Sequence, residues 1–67
     1  MTIILNDVPV KLPNDLMNIE ELVKWKGISS QGTAVALNDK LIKQDQWSVT
    51  PLKELDRVTV ISAAYGG

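Results

Sequence analysis

The chain has 67 residues, 45% of them apolar, and a formal net charge of -1, a length that allows one small core and leaves no room for a second. That balance of charge gives no electrostatic reason to expect nucleic acid or an anionic membrane as partner. The absence of Cys and His excludes a disulfide or a Cys/His zinc site, and it removes the thiolate and imidazole on which much catalysis at neutral pH depends.

A stand-alone enzyme and a metal site are therefore poor readings, and the fold must rest on packing. Asp and Glu are scattered one or two at a time, the pattern of a solvated surface and not of a cation loop. The longest apolar runs, such as Met1 to Leu5, fall far short of a signal h-region or a membrane span, so a soluble cytoplasmic protein is expected.

Thr2 to Leu5 is a β-branched and apolar run, Val8, Val10 and Leu12 alternate with Pro9 and Lys11, and the turn formers Asn6-Asp7 stand between them, which predicts an N-terminal hairpin. Pro9 cannot donate to a ladder, so its arm is expected at a sheet edge. After a loop from Pro13 to Met17, Asn18 with Glu21 three residues later fits an N-cap and capping-box partner. Ile19, Leu22 and Val23 form an apolar stripe and Gly27 supplies a stop, predicting a helix of about three turns.

Thr33 to Leu37 is the next predicted strand, with Asn38-Asp39-Lys40 as a turn into the short apolar pair Leu41-Ile42. Gln44 to Leu55 has no clear period and is expected to be a long loop pinned to the core by Trp47, Leu52 and Leu55. Arg57 to Ala63 is the last strand, running into a flexible tail at 64–67. This order of elements suggests an α+β fold of the β-grasp type: one domain over residues 1–67, a mixed sheet of four to five strands over one helix, its first and last strands parallel and side by side at the centre. Other α+β arrangements share the same elements.

A sheet covered by a helix on one face should alternate apolar and polar residues, yet Ile3-Ile4-Leu5 and Val58-Thr59-Val60-Ile61 are apolar at both parities. With Ile3, Leu5, Val35, Leu37, Val58 and Val60 toward the helix, Ile4, Ala34, Ala36, Ile61 and Ala63 form a shallow apolar patch on the far face. Such a patch suits a partner protein. The second outward feature is Gly66-Gly67. A tail of about four residues reaches roughly 13 to 14 Å at ~3.3 to 3.6 Å per residue, and without side chains it can thread a narrow channel and present an unhindered carboxylate. That carboxylate is ionised at neutral pH and a poor electrophile, so its use requires activation by ATP as an acyl-adenylate on a separate protein. Attack by sulfur then gives a thiocarboxylate; attack by a thiol followed by an amine gives a conjugate.

In Ile3-Ile4-Leu5-Asn6-Asp7, in Val35 to Ile42 with its Asn38-Asp39-Lys40 turn, in Gln46-Trp47, Leu52 and Asp56, and in Gly66-Gly67, and so over nearly its whole length, the chain resembles the ThiS/MoaD family of ubiquitin-like proteins. The resemblance implies a sulfur carrier of thiamin thiazole biosynthesis. Gly67 would be adenylated by a ThiF-like enzyme that uses ATP, with no cofactor bound to the carrier itself. Its thiocarboxylate, made with sulfur drawn ultimately from cysteine, would then be presented to a ThiG-like thiazole synthase, with Tyr65, Gly66 and Gly67 threading into the partners. Where the family often has Gly-Asp before the last strand, this chain has Leu55-Asp56, which predicts a different turn type there. Lys43 to Gln46 lacks the basic residue often found just before the Trp, and Tyr65 is bulkier than the small residue expected before the glycines. Three other functions compete: a MoaD-like carrier for molybdopterin, a ubiquitin-like modifier conjugated through Gly67, and a plain β-grasp interaction module.

Overall fold

The computed structural model describes residues 1–62. Ala63 and the expected tail at 64–67, with Tyr65, Gly66 and Gly67, lie outside the described residues. Strands β1 (Thr2–Leu5) and β2 (Val8–Lys11) precede helix α1 (Ile19–Trp25); β3 (Thr33–Leu37), β4 (Lys40–Ile42), a 3-10 helix (Gln44–Val49) and β5 (Arg57–Ser62) follow. The sheet runs β2-β1-β5-β3-β4, with β1 and β5 parallel and the other pairs antiparallel.

Both hairpins are built the same way. Asn6-Asp7 and Asn38-Asp39 each place two successive residues at positive φ, 49° and 67° in the first and 51° and 70° in the second. That is the signature of a type I′ turn, whose twist matches that of the strands it joins. The second turn is one residue shorter than the sequence suggests, because Lys40 already pairs with Leu37. A two-residue turn makes Leu5 and Val8 the hydrogen-bonded closing pair. Pro9, opposite Ile4, then aims its donor-free nitrogen at the open edge, which is why a proline is tolerated there.

Helix α1 begins where Asn18 Oδ1 accepts from the Glu21 amide at 2.9 Å. The Glu21 carboxylate reaches back one residue farther than a capping box requires, to the Met17 amide at 2.7 Å. At the other end the Ile28 amide donates to Val23 O and the Gly27 amide to Lys24 O, with Gly27 at φ +70, a Schellman stop. The seven residues between these caps make about two turns at 3.6 residues each, shorter than the three predicted. Its apolar stripe of Ile19, Leu22 and Val23 is buried against Ile3, Leu5, Val35 and Val58 of the sheet.

The stretch from Gln44 to Leu55 is not the structureless loop expected. Its first half is a 3-10 helix that buries Trp47, whose Nε1–H donates to Ile42 O at 3.0 Å. Leu52 is buried too, held by its amide to Met17 O at 2.9 Å. Leu55 does not act as an anchor: it is 60% exposed. Nor does Leu55 mark a different turn. Asp56 N donates to Lys53 O at 3.1 Å and Leu55 sits at φ 65°, the φ pattern of a type II turn, the very conformation that favours glycine. The surroundings impose it. Leu55 N donates to Thr2 O, while the Asp56 carboxylate accepts from Lys53 N at 2.7 Å and from Asn38 Nδ2 at 3.0 Å.

Holding a leucine there costs about 1–2 kcal/mol, and its exposed side chain recovers little of that by burial. Leu55→Gly is expected to stabilise the fold by about 0.5–1 kcal/mol after the extra chain entropy of glycine is subtracted. That corresponds to a rise of a few degrees in melting temperature for a chain of this size. Thermal unfolding followed by circular dichroism checks it; an unchanged or lowered midpoint would show that the Leu55 side chain contributes packing after all.

Candidate functional site

Directly paired residues on neighbouring strands share a face of the sheet, so the register decides what faces away from α1. Val35 opposite Val60 and Leu37 opposite Val58 face the helix along with Ile3 and Leu5; Ile3, Leu5, Val35 and Val58 are buried and Leu37 and Val60 partly so. Ala34 opposite Ile61 and Ala36 opposite Thr59 lie on the far face, as does Ile4 opposite Arg57. Of the patch read from the sequence, Ile4, Ala34 and Ala36 are half-buried by their neighbours, Ile61 is 58% exposed, and Ala63 falls outside the described residues.

One member of this face was not among the residues read from the sequence. Leu41 pairs with Ala36 across β3 and β4, which puts it on the far face, and it is 66% exposed. The signal was present in the alternation Lys40-Leu41-Ile42 after a two-residue turn, but only the pairing partner says which parity looks outward. Leu41 and Ile61 thus stand proud of a floor of small side chains, Ala34 and Ala36, between them. The floor is low because alanine ends at Cβ, so a partner side chain can settle between the two larger residues. The margin is polar: Arg57 lies beside Ile4 on the same face, its guanidinium 3.9 Å from the Asp7 carboxylate, an exposed pair of the kind that contributes little to stability.

β5 links this face to the C-terminus. It is the central strand, bordered by β1 and β3, and its described part ends at Ser62, five residues before Gly67. Among the described residues no group of three or more Asp or Glu is placed to hold a metal ion, no buried residue is polar or charged, and no helix is long and apolar enough to cross a membrane.

A mixed five-stranded sheet wrapped over one helix, with parallel first and last strands at its centre, defines a β-grasp domain. The chain belongs to the ThiS family, whose family model matches residues 3–67. In three dimensions it is similar to the crystal structure of the thiamine biosynthesis protein ThiS from Geobacter metallireducens, with a TM-score of 0.84, 22% sequence identity and complete coverage of both chains. A search of curated proteins returns no match.

Proposed function

We propose that this protein is a sulfur carrier of thiamin biosynthesis that bears its sulfur on the C-terminal carboxylate of Gly67. The observation that carries the reading is membership of the ThiS family over a span that includes Gly66 and Gly67; the similarity to a thiamine biosynthesis protein supports the pathway. The protein itself is the substrate and not the catalyst. Its carboxylate attacks the α-phosphorus of ATP on a ThiF-like enzyme, giving an acyl-adenylate and pyrophosphate. A sulfur nucleophile then displaces AMP to leave a terminal thiocarboxylate, which a ThiG-like thiazole synthase consumes. No cofactor is held by the carrier, and the reaction belongs in the cytoplasm with its ATP.

The test is intact mass spectrometry after incubation with ATP, a ThiF-like enzyme and a sulfur donor. The expected result is a mass gain equal to replacing one oxygen by sulfur. No gain with a competent activating enzyme would sink the proposal, higher-mass covalent adducts in cell extract would favour a conjugated modifier, and sulfur transfer to a molybdopterin precursor in place of the thiazole would redirect the pathway.

In this reading the far face of the sheet docks on the activating enzyme through Ile4, Ala34, Ala36, Ile61 and Ala63, with Leu41 beside them. Ile61→Asp places a charge at the centre of that contact and is expected to weaken binding by about 2 kcal/mol, roughly 30-fold, the scale of an interface hot spot. Because Ile61 is more than half exposed, the fold should lose no more than about 1 kcal/mol through the lower strand preference of Asp. Titration calorimetry gives the first number and circular dichroism the second; unfolding of the variant would mean that Ile61 serves the core.

A further inference from the structure

We infer that Arg57 selects the partner of the far sheet face by charge, favouring a surface that sets an Asp or Glu carboxylate beside its apolar contact. The inference rests on the carrier reading and the docking face above. The chain has eight Asp and Glu residues and seven Lys and Arg, yet no acidic residue lies in a strand; all eight stand in turns, loops or helices. Three cations are in strands: Lys11 in β2, Lys40 in β4 and Arg57 in β5. Lys40 pairs with Leu37 and so shares the helix side, whereas Lys11 opposite Thr2 and Arg57 opposite Ile4 share the far face. The strands of that face therefore carry cations and no anion, although the chain as a whole has a net charge of -1.

Arg57 is the better placed of the two. Lys11 is on the edge strand β2, while Arg57 is on the central strand, beside Ile4 and two residues before Thr59, whose row continues through Ala36 to Leu41. Its exposed guanidinium lies 3.9 Å from the Asp7 carboxylate, beyond hydrogen-bonding range. The planar fork of N–H donors that an arginine presents matches a carboxylate bidentately. Docking thus replaces a loose internal pair by a close one on ground that the partner's surface dries, where the same charges attract more strongly. Asp7 works against this, because it competes for the guanidinium and repels the incoming carboxylate. A second copy of this chain fits badly, since a two-fold contact through the face would crowd the cations of both copies together.

The test is binding of the full-length carrier to an immobilised ThiF-like enzyme, followed by surface plasmon resonance at about 0.1 M and about 0.5 M salt. At the lower salt Arg57→Gln is expected to weaken binding about fivefold and Arg57→Glu about 30-fold, chiefly through slower association. Both losses should shrink to about threefold or less at the higher salt. Asp7→Asn keeps a residue suited to the positive φ of 67° and removes the competing carboxylate, so it should tighten binding about twofold. Lys26→Glu makes the same change of net charge as Arg57→Glu, but at the C-terminal end of α1 on the other side of the sheet, and should stay within about twofold. Binding by Arg57→Glu equal to that of the unsubstituted chain, an equal loss in Lys26→Glu, or weaker binding by Asp7→Asn would overturn the inference. Ile61→Asp is the reference for the face itself. If it weakens binding while Arg57→Glu does not, the docking face stands and the selection by charge falls. If Ile61→Asp binds as tightly as the unsubstituted chain, the docking reading is removed, and this inference with it.

Discussion

Deletion of Gly67 is expected to abolish thiocarboxylate formation, with a loss of at least about 100-fold in rate under conditions that convert the unsubstituted chain. The deletion is informative because it leaves the chemistry of the end untouched. Gly66 would then carry the terminal carboxylate, as unhindered and as fully ionised as the original. What changes is reach, by one residue or about 3.3–3.6 Å. Reacting atoms must come within about 3–3.5 Å for in-line attack, so a shortfall of one residue takes the carboxylate out of range of an activating site bound to the sheet face. Intact mass after incubation with ATP, the activating enzyme and a sulfur donor reads the outcome. Efficient modification of the shortened chain would show that the docked sheet does not set the distance, and would remove the reason for assigning the activated carboxylate to residue 67.

Trp47→Ala should remove a third or more of the stability of the fold, about 3–5 kcal/mol. At about 0.05–0.15 kcal/mol per residue, a domain of this length has a total stability of about 3–10 kcal/mol. Replacing a buried Trp by Ala typically removes about 3–5 kcal/mol. Trp47 is 2% exposed and carries two jobs at once. Its ring joins the core cluster containing Leu22 and Val23 of α1, so its loss opens a cavity beneath the helix. Its Nε1–H is also the partner of Ile42 O, tying the 3-10 helix to the short edge strand β4. Trp47→Phe separates the two: it keeps most of the ring and loses the hydrogen bond, at a cost of about 1–2 kcal/mol. Urea unfolding of both variants measures the difference. A Trp47→Ala protein with nearly unchanged midpoint would mean that the 3-10 helix is dispensable to the core.

The features legible in the sequence are those whose causes are local. Asn6-Asp7 and Asn38-Asp39 announce hairpins because few residues accept positive φ in succession. Asn18 and Gly27 bound α1 because each answers for backbone groups within its own turn. Pro9 marks an edge because it lacks a donor. The 3-10 helix escaped because three residues per turn over six residues leaves no apolar period to read, and only its one buried side chain, Trp47, was recognised as an anchor. Leu55 misled in an instructive way. Leucine resists the left-handed region in isolation, so its presence argued for a different turn; the bond that Leu55 N donates to Thr2 O and those that the Asp56 carboxylate accepts from Lys53 N and Asn38 Nδ2 override that preference.

The sequence by itself therefore determined the strands and the helix α1, their order, and the absence of thiol and imidazole chemistry. It determined these because each depends on residue type or on neighbours within a turn or two. Tertiary structure decided which parity of each strand faces the helix, that Leu41 shares a surface with Ala36 and Ile61, and that Asn6 grips Val60 across 54 residues of chain. These are consequences of register between distant strands. A shift of one residue would exchange the two faces without changing any local preference.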